Sequence, residues 1–260
     1  MAVKKRGRVH VDRPAFPALA LAFLVTALIV YLASLSIRDD DAALVKSANA
    51  SETGEIALSG GDYWFVTLGA FDTQEECRIA SARYLSLGAS GYEMKREGKY
   101  VLIGNVYKDA QTAEKIAERI RESGIPADVF SISEEDATFF VTGKEEVLSA
   151  FTGLSDALIK AEDALLSVSQ RLDAGTLDKR EAGAILSIIQ HDLKKDRETI
   201  EKSVVSGIGG GMADLYLDAV SAMKDAQKTA GGEMYFSARI KHTALSMIFD
   251  RLSLLERIRS

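Results

Sequence analysis

A single cysteine in 260 residues rules out an intrachain disulfide and any multi-cysteine metal site. That residue, Cys77, lies in a helical run and reads as a small buried side chain. Histidine is almost as scarce. His10, His191 and His242 are far apart and none lies in an H-E-x-x-H pattern, whereas zinc needs three or four clustered ligands. His191 and His242 read as solvated positions on helices. No G-x-S-x-G setting for a nucleophile is present. The carboxylate pairs Glu75-Glu76 and Glu134-Glu135 are sequence neighbours on polar segments, not groups facing each other across a cleft as in a glycosidase. The glycine run from Gly207 to Gly211 follows no strand, so it lacks the setting of a phosphate loop and reads as a turn between helices. With no catalytic constellation, no metal site and no cofactor motif, the chain reads as non-enzymatic. Positive charge is also missing where a nucleic-acid module would concentrate it. Residues 61–132 carry −2 and residues 133–260 carry −5, which disfavours nucleic acid.

The positive charge lies at the start. Lys4, Lys5, Arg6 and Arg8 belong to a basic tail over 1–14, and no charge interrupts Phe16 to Ile37. As a helix those residues would measure roughly 33 Å, enough to cross a hydrocarbon core of about 30 Å. Asp39-Asp40-Asp41 follows. A membrane span at 15–37 with its N-terminus in the cytoplasm and the bulk outside is expected. The apolar run is too long for a typical signal-peptide core, and no A-x-A site lies directly after it, where Arg38-Asp39-Asp40-Asp41 stands. Residues 38–61 have no strong period and read as a linker, with an end-to-end distance of roughly 25–30 Å if flexible.

From Asp62 to Ile132 one motif is written twice. Tyr63-Trp64-Phe65-Val66-Thr67-Leu68-Gly69-Ala70-Phe71 precedes a helical run and Gly88; Lys99-Tyr100-Val101-Leu102-Ile103-Gly104-Asn105-Val106-Tyr107 precedes another and Gly124. Asp72 with Glu75, and Asp109, mark helix starts; the two glycines mark left-handed helix ends. Cys77, Ile79, Ala80, Tyr84 and Leu87 form one expected buried stripe, Ala113, Ile116, Ala117 and Ile120 the other. Glu97-Gly98 is a tight turn joining the second and third strands. The expectation is an α+β fold of order β-α-β-β-α-β, with an antiparallel sheet and both helices on one face. Over 144–258 apolar residues recur every three or four positions, interrupted by Gly175, the Gly207–Gly211 run and Gly231-Gly232. Four amphipathic helices in an all-α bundle are expected there.

Strand alternation leaves Phe65, Thr67, Tyr100 and Leu102 as the expected lining of the sheet's helix-free face. Such a surface is either a ligand platform or is covered by another element, for instance a C-terminal helix. At these residues the chain resembles the SPOR (sporulation-related repeat) family. Its first strand, approximately Y-V-Q-L-G-S-F, compares with Phe65 to Phe71; its third, approximately Y-R-V-x-V-G-x-[FY], with Tyr100 to Tyr107. The resemblance covers about 62–132. It implies a ribonucleoprotein-like domain that binds peptidoglycan, favouring glycan strands stripped of stem peptides, at division or sporulation septa. The implied glycan contacts are Phe65, Thr67, Ala70, Lys99, Tyr100 and Leu102. Three depart from the family pattern: Thr67 replaces Gln, Ala70 replaces Ser, and Lys99 stands where some members have an aromatic. The bundle would serve a protein partner. The alternative is an assembly protein whose sheet face packs on the bundle or on another copy, without glycan.

Overall fold

The computed structural model describes residues 52–203, 205, 207–228 and 231–260. The expected tail at 1–14, the span at 15–37 and the first part of the linker lie outside the described residues. Among the described residues no helix is long and apolar enough to cross a membrane. Residues Asn49–Ser260 form one compact unit. It is α+β, with two antiparallel sheets and seven helices among the described residues.

The first strand, β1 (Glu52–Leu58), corrects the linker reading. Its Ile56 and Leu58 alternate inward and it pairs with β6 (Ala137–Gly143), putting Ile56 opposite Phe139 and Gly54 opposite Val141. Buried residues at every second position of both strands make a ribbon with one apolar face, which packs on the helices.

Between these strands runs β2 (Gly61–Phe71), α1 (Gln74–Leu85), β3 (Tyr92–Arg96), β4 (Lys99–Tyr107), α2 (Ala110–Glu122) and β5 (Asp128–Glu134). The spatial order is β3-β4-β2-β5, all antiparallel. Local signals set the corners. Glu97 (φ 51°) and Gly98 (φ 81°) are both left-handed, the two-residue hairpin turn whose twist matches the flanking strands. Gly88 (φ 89°) and Gly124 (φ 78°) end the helices. Asp109 caps α2 by accepting from the Thr112 N–H at 2.7 Å. The cap of α1 is one residue later than the sequence suggested. Thr73 and Glu76 form the capping box, not Asp72 and Glu75.

Both helices pack on one face of this sheet. Ala113 and Ala117 meet Val66 and Tyr107, while Cys77 meets Leu68 and Leu102. The stripe expected on α1 is only half right, because Ile79 and the following Leu87 are exposed. After β6 come α3 (Glu145–Asp173), α4 (Lys179–Leu193), α5 (Arg197–Lys202), α6 (Gly207–Gln227) and α7 (Glu233–Arg259). Among the described residues five helices thus stand where four were expected, the extra one being the short α5. The glycine run expected as a turn forms the start of α6.

Candidate functional site

The helix-free face of the four-stranded sheet is covered at its centre. Phe65 has no exposed surface; its ring stacks on Phe249 of α7 at 4.9 Å and on Phe130 of β5 at 5.0 Å. Phe249 also stacks on Tyr92 of β3 at 5.1 Å. Phe65, Ile103 and Val106 share one core with Phe151 and Leu158 of α3 and Ile248 of α7. The C-terminal helix lies across the strands, and the apolar side chains of the sheet's second face are buried against it.

Polar contacts fix this cover along its length. Arg251 of α7 and Glu162 of α3 are both fully buried and form two parallel hydrogen bonds, Nε to Oε1 and Nη2 to Oε2, each 2.9 Å. Arg251 also donates to the Tyr63 hydroxyl and to the carbonyls of Ser59 and Gly60 in the β1–β2 turn. Burial works to lower the Arg251 pKa, but the Glu162 contact outweighs it and the net shift is upward. Burial, reinforced by the Glu162 charge, raises the Tyr63 pKa. Nearer the start of α7, the buried Lys241 donates to the Gly88 carbonyl at 2.6 Å and pairs with Asp173 at 2.6 Å. His242 lies 3.1 Å from the Ser90 carbonyl through Nδ1 and against the Tyr92 ring. It is therefore not the solvated position that the sequence suggested. Burial lowers its pKa; the Ser90 carbonyl opposes this. At the far end Arg259 pairs with Glu134.

The six expected contact residues separate. Tyr100 and Leu102 face the helices, not the free side. Leu102 is buried with Cys77 and Leu68, and Tyr100 packs on the same cluster with Lys95 over its ring. Val101 and Ile103, on the opposite face of β4, are the ones that share Phe65's side. Alternation correctly separated the two sets, but both are apolar, so the pattern alone did not say which one faced the helices.

Thr67, Ala70 and Lys99 do come together. They line a groove of about 470 Å³ at the hairpin end of the face, beyond the reach of α7, with Val101, Asp128, Phe130 and Arg96. Its shape follows from an irregular ladder. Thr67 pairs with Ile103, and Ala70 with Val101, leaving Leu68 and Gly69 opposite Leu102 alone. This bulge, with Gly69 at φ 138°, turns Ala70 onto the same side as Thr67. Pairing of β2 with β5 stops at Thr67 and Asp128, so the last residues of β2 have no partner on that side.

The groove is polar at its rim and satisfied at its floor. The Thr67 hydroxyl donates to the Asp128 carbonyl at 3.3 Å, and Lys99 pairs with Asp72 at 3.4 Å. Phe130, Arg96 and Asp128 were missed. The alternation of Phe130 with Ile132 could have flagged the first, since an apolar edge strand needs a reason. Nothing in the sequence marks Arg96. Among the described residues no group of three or more His, Cys, Asp or Glu could hold a metal ion. Compared with models of protein families, with curated proteins and with solved structures, the chain has no significant match.

Proposed function

We propose that this is a non-enzymatic assembly protein, held in the cell membrane by residues 15–37 with its bulk outside the cytoplasm. Its helical bundle is the permanent partner of its own sheet. The observation that carries this reading is the complete burial of Phe65 between Phe130 and Phe249, the position where a stacking ligand would have to bind. A cover sharing one core with the sheet, and tied by a buried ion pair, is part of the fold and not a guest on it. Residues 49–260 should run as a discrete species in size exclusion with light scattering. Removing 144–260 should cause self-association through the uncovered apolar face. A truncated piece that stays soluble and monodisperse would sink this reading.

The groove favours a second reading. Thr67, Ala70 and Lys99, three of the contacts implied by the SPOR resemblance, border one concave site. In this reading the chain is a SPOR-like wall protein that touches glycan strands stripped of stem peptides through the groove alone. Sedimentation with amidase-treated sacculi separates the two readings. The assembly reading expects no retention of the wild type. Retention lost on Lys99→Ala would favour the glycan reading.

A further inference from the structure

The groove is crossed by one side chain. Arg96 ends β3, and its guanidinium carbon lies 4.2 Å from the centre of the Phe130 ring on β5, the opposite edge of the sheet. Strands β4 and β2 lie between those two. The Arg96 side chain therefore spans the groove that Thr67 and Val101 line. At 4.2 Å the cation is over a ring face, and Phe65 is stacked on the same ring at 5.0 Å, so Phe130 offers no open face to a ligand.

We propose that Arg96 is a strap across this groove that must swing off Phe130 before a polymer strand can rest on that ring. The proposal rests on the glycan reading of the same groove. Three features suit a strap. The side chain is partly exposed, so it has solvent to move into. Glu97, largely exposed, already pairs with the Arg96 Nε at 3.4 Å and can keep hold of the side chain as it leaves the ring. The contact with Phe130 is a single cation–ring interaction, weak enough to open thermally.

The test uses the full-length protein in detergent micelles and sacculi stripped by an amidase. An exposed cation–ring contact corresponds to about a 2–5-fold factor in an equilibrium, so Arg96→Ala should raise apparent affinity by about that much. Arg96→Lys, which keeps a cation, should fall between the two. Retention of the wild type with tighter retention of Arg96→Ala supports the proposal. Retention of the wild type with Arg96→Ala equal or weaker overturns the strap and leaves the glycan reading intact. No retention of any form overturns both.

Discussion

Arg251→Ala tests the logic of the covered sheet most directly. Arg251 is the largest fully buried side chain, and its donors serve Glu162, Tyr63, Ser59 and Gly60. Removing it strands a fully buried carboxylate, for which losses of about 3–5 kcal/mol are usual. For a domain of this size that is a fall in midpoint of roughly 6–20 °C, at about 2–4 °C per kcal/mol. Thermal unfolding of residues 49–260, followed by circular dichroism, measures it. The double variant Arg251→Met with Glu162→Leu removes both charges and should recover most of the loss. A deficit of about 1–2 kcal/mol should remain for the oxygens left without a donor. A loss below about 1 kcal/mol for Arg251→Ala, or a double variant no better than the single, would refute the reasoning.

Other outcomes follow from the same seams. His242 has a folded pKa below its ordinary 6.5. Its contribution to stability is complete above about pH 6.5 and declines as pH falls, because the unfolded chain binds the proton first; His242→Gln should flatten that slope in pH-dependent melts. A Cβ on Gly60 would lie 1.9 Å from the Glu134 carbonyl oxygen. Gly60→Ala should therefore force the β1–β2 and β5–β6 turns apart and lower the melting midpoint by about 2–12 °C, given the 1–3 kcal/mol typical of overpacking. Cys77 has no exposed surface, and burial pushes its thiol pKa up to about 11. It should react with a thiol reagent only after unfolding, which a stopped-flow comparison in buffer and in denaturant would reveal.

The doubled motif was legible because its signals are local. Glu97-Gly98, Gly88, Gly124 and the Asp109 cap act within a few residues of themselves, and each is where the sequence put it. What failed was non-local. Glu52–Leu58 looks like linker because its partner Ala137–Gly143 lies on the far side of the whole doubled motif, and a two-stranded ribbon carries only two inward residues per strand. Tyr100 and Leu102 were placed on the wrong face because β4 is apolar on both sides. The groove depends on a bulge at Leu68-Gly69, and a bulge reverses the simple alternation from which faces are read.

That two-sided apolar strand held the answer about the cover. An antiparallel sheet with one face in water keeps that face polar. Here the edge strands also carry apolar residues at alternate positions: Tyr92 and Met94 on β3, Phe130 and Ile132 on β5. All four pack toward the helices of the bundle. A ligand platform needs a few such residues near its centre. A surface apolar from edge to edge has enough area to hold a helix, and α7 supplies one, with Phe249 over the middle strands and Arg251 beside it. Polar replacements on that face should then disturb the bundle as well as the sheet. Met94→Lys, on an edge strand and far in sequence from α7, should lower the unfolding midpoint of the helical signal and the sheet signal together. If the sheet alone loosened while the helices melted as before, the two would not share a core.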